Sequence, residues 1–376
     1  MRLRGRKLPV AAHPDGDFFA LTKPPGNGRL AFAVDASNQT PAHVISRPVG
    51  PEALVAAVRD ANFRPTQLGA GGAESTLAQV RCPHAALDMV ELGSAMLFEG
   101  TMSAGHYTIT AITRCPTPGH SYTFASAFVD GCIGFYPPGG QVNVMIPKGY
   151  ANATLTIPRD RFLRAVDTCF PEIPMAMLRH GAGMRVPAAE FGTIRRLVAA
   201  VRTAMDDPEQ PLASARARTH LETDLLAAFL TALREGCGLL VPPPDIRLGK
   251  RYQLLTRARE LLDAYPTEPV PVTRLCAELG LSRRSLEYLF EDTLGMSPAV
   301  YFKRRRLNGV RAALLRTEPE RGLVKRLALD WGFWHLGHFA RDYRNLFGES
   351  PVRTLGKWPD CQPRGVVRDR FVGGLT

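Results

Sequence analysis

The chain has 376 residues, 45% hydrophobic and 22% charged, enough for two or three domains that each bury a core. That balance excludes a mainly disordered chain, and no apolar run approaches the ~18 residues that a membrane-spanning helix needs. Lys and Arg number 47 against 35 Asp and Glu, a formal +12 with a pI near 9.7, which points to a polyanion if the excess is gathered on one face.

In chain order, Met1 to Pro14 reads as a basic tail, because Pro9, His13 and Pro14 interrupt what would otherwise be a secretory apolar stretch. Pro51 to Arg59 predicts a short helix with Pro at its first position. From Arg64 to Pro158 the texture is that of strands. Runs such as Tyr107 to Ile112 and Val142 to Ile146 are β-branched or alternating, and clusters such as Pro137-Pro138-Gly139-Gly140 separate them. Many short strands with Gly/Pro turns predict a barrel or sandwich. Helical texture follows over Arg159 to Cys169, Ala188 to Ala204 and Leu212 to Arg234. Leu221, Leu225, Leu226, Phe229, Leu230 and Leu233 form a stripe that reads either as core packing or as a dimer interface. Gly236 to Pro244, with three consecutive prolines, ends the helix and marks a boundary. The expected division is a domain over 1–240 (β-rich to about 158, helical over 159–235), a linker over 241–249, a second domain over 250–357 and a flexible tail over 358–376.

The charge divides at the same place. Residues 1–244 hold 23 basic and 20 acidic side chains, and residues 245–376 hold 24 and 15. Three quarters of the excess therefore sits in the last third. Cys82, Cys115, Cys132, Cys169, Cys237, Cys276 and Cys361 are an odd, scattered set without Cys-x-x-Cys spacing, which predicts reduced thiols, no zinc site and no metal or other cofactor.

Two segments of the basic third echo one another. Leu286, Phe290 and Leu294 correspond to Phe339, Tyr343 and Phe347 on an i, i+4, i+8 stripe, and each stripe stops at a glycine, Gly295 or Gly348. In each copy a Ser-Pro pair follows, Ser297-Pro298 or Ser350-Pro351, in N-cap and N1 positions. A short helix and a glycine turn precede each copy: Val272 to Leu279 then Gly280-Leu281, and Gly322 to Trp331 then Gly332-Phe333. Helix, glycine turn, helix is a helix-turn-helix pattern, and two copies with matching caps are far more specific than one. Pro298 to Leu315 links them as one helix of roughly 27 Å at 1.5 Å per residue. That length suits two reading helices about one DNA turn, roughly 34 Å, apart.

The stretch from about Arg251 to Leu355 resembles the AraC/XylS family of bacterial transcription regulators. The resemblance rests on Ala277 to Gly280, Leu286, Phe290, Leu294-Gly295-x-Ser297-Pro298, Arg306-Leu307, Ala328 to Phe333, His338-Phe339, Arg341 and Phe347-Gly348-x-Ser350-Pro351. Trp331 to Phe339 is similar to the branch containing ethanolamine-type regulators, with Trp334-His335-Leu336-Gly337 where the family commonly shows small polar residues. The resemblance implies an α+β, cupin-like sensor and dimerisation domain followed by an all-α double helix-turn-helix domain. It implies a cytoplasmic, nucleoid-associated activator that binds two successive major grooves of double-stranded DNA. RNA polymerase, a small-molecule effector and a second copy of the chain are the further expected partners.

Base contacts are expected from the starts of the two reading helices: Arg283, Arg284, Glu287 and Tyr288 in the first, and Trp334, His335, His338 and Arg341 in the second. Arg pairs bidentately with guanine and Glu accepts from cytosine N4. Trp334 reads either as a wedge against DNA or as a cap on its own domain. Ser282, Lys303, Arg304, Arg305, Lys325, Arg326 and Arg344 are the expected phosphate contacts, which set affinity and salt dependence. Arg306 reads as a phosphate contact or as an internal structural arginine. Two rival functions remain: a cupin-type metal enzyme using His84, His106 and His120, which lack metal-cupin spacing, and a non-specific architectural DNA-binder.

Overall fold

Period-2 alternation in the first half of the chain builds two sheets with two different faces to cover. The computed structural model describes residues 43–50, 54, 62–72, 75–121, 123–124, 126–207, 209, 211–237, 246–265 and 270–357, with backbone alone for 43–49 and 246–249. The expected N-terminal tail, nearly all of the Pro51 to Arg59 helix, Cys361 and the 358–376 tail lie outside these residues.

Twelve strands occur among the described residues: β1 (His43–Val49), β2 (Asn62–Gln67), β3 (Ser75–Arg81), β4 (Ala86–Glu91), β5 (Met96–Thr101), β6 (His106–Arg114), β7 (Gly119–Ser121), β8 (Ser126–Phe128), β9 (Cys132–Tyr136), β10 (Gln141–Ile146), β11 (Ala151–Pro158) and β12 (Ala182–Arg185). One sheet runs β1-β3-β4-β11-β6-β9-β12 and the other β2-β5-β10-β7-β8, with antiparallel pairing throughout. Successive side chains of a strand point to opposite faces. In the larger sheet, Leu87, Met89, Ile109, Ala111, Ala153 and Leu155 therefore form one core, shared with helices α1 (Arg159–Cys169), α2 (Met175–His180), α3 (Ala188–Asp206) and α4 (Ala215–Cys237). The intervening residues, Val90 and Ile112 among them, face the smaller sheet across a second core. The leucine stripe is resolved as packing: Leu225, Phe229, Leu230 and Leu233 are buried in the first core, and Leu221 and Leu226 pack against it.

The second half is helical: α5 (Ile246–Asp263), α6 (Val272–Leu279), α7 (Arg283–Leu294), α8 (Pro298–Arg316), α9 (Leu323–Asp330), α10 (Leu336–Phe347) and α11 (Pro351–Leu355). The chain becomes helical at Ile246, inside the stretch expected as linker. Ser297 and Ser350 each accept from the backbone N–H three residues on, with proline at the first helical position of α8 and α11. Both duplicated caps thus have a direct physical role. The architecture is an α+β, cupin-like double sheet followed by an all-α region of two helix-turn-helix units.

Candidate nucleic-acid interface

The first unit is α6, a turn and α7. Gly280 adopts the left-handed conformation (φ 64°) that lets the chain reverse, and the Leu281 N–H donates to the Cys276 carbonyl at 2.9 Å. The Ser282 hydroxyl caps α7, accepting from the Ser285 N–H at 3.1 Å, so part of its hydrogen-bonding capacity is used within the helix. Leu286, Leu289 and Phe290 are buried, which turns Arg283, Arg284 and Tyr288 to solvent, with Glu287 half-buried. Arg283 Nε donates to Glu287 Oε1 at 3.1 Å across one helical turn. The Arg251 guanidinium lies 5.2 Å over the Tyr288 ring and pairs with Asp292 at 2.6 Å.

The second unit is α9, a turn at Gly332 and α10. The Phe333 N–H closes the turn on the Ala328 carbonyl at 2.9 Å, as Leu281 does in the first unit. His335 occupies the N-cap without a side-chain capping bond. Phe339, Tyr343 and Phe347 are buried, leaving Trp334 (72% exposed), His335, His338 and Arg341 on the open side. The two histidine rings are 5.7 Å apart. Lys325, Arg326 and Arg344 are exposed, Arg326 pairing with Glu320.

The cations of α8 are placed differently. Lys303 donates to Asp342 at 3.0 Å, Arg304 donates to the Leu68 carbonyl of the N-terminal region, and Arg305 pairs with Asp263. Arg306 lies 5.0 Å over the Phe333 ring and donates to the Trp331 and Gly332 carbonyls at 3.4 Å each, the internal alternative. Burial lowers the pKa of Arg304, Arg305 and Arg306. Four consecutive residues on a helix point in every direction. In a helix packed on both sides, such a run must turn some of its charges inward. Lys303, Arg304 and Arg305 therefore stand against protein, while Lys325, Arg326 and Arg344 stand on the surface.

A helix-turn-helix domain family matches residues 275–357, which takes in both α7 and α10. A solved structure of a probable AraC family transcriptional regulator from Rhodopseudomonas palustris is 36% identical, covering 28% of this chain and 96% of that one, with a TM-score of 0.26. The chain belongs to the AraC/XylS family of transcriptional regulators. Other relatives are the probable thc operon regulatory protein of Rhodococcus erythropolis, 30% identical over 43% of this chain and 48% of that protein, and the XylDLEGF operon transcriptional activator of Pseudomonas putida, 41% identical over 23% and 27%. The chain spans about half or less of the length of these two curated relatives.

Sequence reasoning missed how the AraC/XylS-type helical region meets the double sheet. Arg259 on α5, only 4% exposed, pairs with Glu99 of β5 and donates to Asn143 Oδ1 of β10 at 3.0 Å. Arg64 pairs with Asp263 at 3.0 Å. The Gln67 N–H donates to Asn308 Oδ1 at 2.9 Å, Asn308 Nδ2 returns a bond to the Gln67 carbonyl at 3.1 Å, and Gln67 Nε2 donates to the Leu346 carbonyl at 2.6 Å. Gly72 and Gly348 meet backbone to backbone, so closely that a Cβ on either would collide with the other segment. Long-range polar pairs of this kind leave no periodic trace in a sequence. Alternation along β5 and β10 is the one signal that could have found them.

That alternation has a second consequence. Between the sheets lies a cavity of about 130 Å³, lined by Phe98 of β5 and by Val142, Val144 and Ile146 of β10. The residues between them, Leu97, Glu99, Asn143 and Met145, face the helical region. One sheet is thus a shared wall. Of the three candidate metal histidines, His106 Nδ1 is 2.8 Å from the Ser103 hydroxyl, and His120, its pKa lowered by burial, is 3.3 Å from the Tyr252 hydroxyl. Among the described residues no group of three or more His, Cys, Asp or Glu is placed to hold a metal ion.

Proposed function

We propose that this chain is a sequence-specific DNA-binding transcription regulator controlled by a small molecule held between its two sheets. The observation that supports the reading is the duplicated unit, in which each copy turns a polar face of its second helix to solvent. Arg283, Arg284, Glu287 and Tyr288 would read one major groove, and Trp334, His335, His338 and Arg341 the next. Lys325, Arg326 and Arg344 would hold phosphates, as would the Ser282 end of α7. Lys303, Arg304 and Arg305 join them only in an arrangement that frees α8 from its present contacts.

The shared wall supplies the control. A molecule in the cavity touches Phe98, Val142 and Val144, whose strand neighbours Glu99 and Asn143 hold Arg259. Binding that favours one arrangement of these strands biases the position of α5 by the same free energy. In this reading the chain is not an enzyme; it acts in the cytoplasm on the nucleoid, as an activator that meets RNA polymerase and pairs with a second copy. Mapping its binding sites across a genome at stated salt tests the reading. Discrete sites with two elements about 10 base pairs apart are expected. Uniform occupancy without preferred sites would overturn it.

A further inference from the structure

The two walls of the cavity differ in chemistry. The smaller sheet contributes mainly apolar side chains, Phe98, Val142 and Val144 among them, with the small hydroxyls of Ser121 and Ser126 at its β7–β8 end. The larger sheet contributes a polar strip, because the register sets Asp88, Thr154 and Thr110 in one row across β4, β11 and β6, next to the row holding Asn152. All four of these residues line the cavity, and the Thr110 and Thr154 hydroxyls bond each other at 3.1 Å. Gln79 Nε2 donates to Asp88 Oδ1 at 2.8 Å, with Arg81 3.8 Å from the same oxygen. Asn152 Nδ2 donates to the Tyr150 hydroxyl at 3.3 Å, and its Oδ1 is buried with no hydrogen-bond partner. Among the described residues that line the cavity there is no Lys, Arg or His, and Asp88 is the one acid.

We propose that this cavity takes a single-ring aromatic molecule carrying a hydrogen-bond donor, a phenol or an arylamine, and rejects the matching carboxylate. The inference rests on the reading of the cavity as the effector site. Its volume of about 130 Å³ is close to the ~150 Å³ of an apolar cavity that holds benzene, so one ring fits and a long chain does not. A carboxylate and an amide oxygen are acceptors, and the buried Asn152 oxygen gains most from a ligand that donates. A carboxylate ligand has no cation to meet it among the lining residues and would be desolvated beside Asp88.

The test is isothermal titration calorimetry of the full chain with p-cresol, p-toluidine, p-toluate and toluene. Toluene carries neither polar group and reports an intact cavity in any variant. p-Cresol and p-toluidine should bind at least about tenfold more tightly than p-toluate, and Asp88→Asn should narrow that gap while toluene binding persists. p-Toluate binding as tightly as p-cresol would overturn the ligand class and leave the effector cavity standing. Absence of binding by all four, or p-cresol binding unchanged by Val144→Trp, would overturn the effector cavity and the ligand class with it.

Discussion

The two helix-turn-helix units share a sequence pattern, a glycine turn and a Ser-Pro cap, yet they complete their cores by different means. The second fills its buried core from its own helices, although the Gln67 to Gly72 stretch touches its edge at Asn345, Leu346 and Gly348. Its buried Arg311 pairs with Glu349 at 2.6 Å, Thr354 donates to the same carboxylate at 3.0 Å, and Tyr343 donates to Thr354 at 2.9 Å. Among the described residues its apolar cluster draws on α8 to α11 and the turns between them. The first unit borrows. Arg259 of α5, which packs on it, finds its acid, Glu99, on the double sheet, and their shared apolar cluster includes Leu97 of β5 and Leu68 just after β2. Where the second unit has Glu349 after its glycine, the first has Met296, which cannot supply the charge. A duplicated motif can therefore be split into one copy whose buried charge is satisfied from within and one whose buried charge is satisfied by a neighbouring domain.

Removing the second unit's internal acid should give the largest effect. Glu349→Gln leaves Arg311 buried beside a neutral amide and should cost about 3–5 kcal/mol in denaturant unfolding followed by Trp331 and Trp334 fluorescence. Burial works against the charged form of Glu349, but hydrogen bonds from Lys357 and Arg311 hold its pKa below the usual carboxylate range. With the native pKa below the unfolded one, the unfolded chain binds the proton first as pH falls. The stabilisation is therefore complete above the ordinary Glu range and disappears as pH drops through the lowered native value. The wild-type and Glu349→Gln stabilities should converge in acid; a gap that widens there would contradict the pairing.

Glu99→Gln should cost less, about 2 kcal/mol, because the Asn143 oxygen still accepts from Arg259. Hydrogen exchange should then quicken in α5 to α7 and stay unchanged in α10 and α11. Equal quickening in both units would break the contrast between them.

At the reading helices, Arg284→Ala and Arg341→Ala should each cost about 1–3 kcal/mol on a cognate duplex, each relaxing specificity in its own half of the site. Equal losses on cognate and random DNA would assign a phosphate role instead. The smallest effect is expected for Lys325→Ala, which should weaken all duplexes alike and reduce the slope of log affinity against log salt by about 1.

Much of this was legible in the chain. Helices α1, α6 and α8 lie within a residue of their expected bounds, because proline, glycine and serine punctuate them and an apolar stripe fills each interior. The exposed faces of α7 and α10 were legible for the same reason: Leu286 and Phe339 fix the buried side, so the opposite residues must be open. The contacts of Arg304 and Arg305 were not, since a cation on a helix carries no mark of which neighbour will cover it. Nor was Asp88, an isolated acid in an alternating strand, whose meaning comes only from the cross-strand row in which β11 and β6 place it.

The most direct test of the central claim is the ratio of affinities of the full chain for its selected site and for random duplex, measured at about 150 mM salt. Paired reading helices predict a ratio of about a thousand or more, with two specified elements roughly one helical turn apart. A ratio within about tenfold would match simple charge attraction by the basic region and contradict sequence reading.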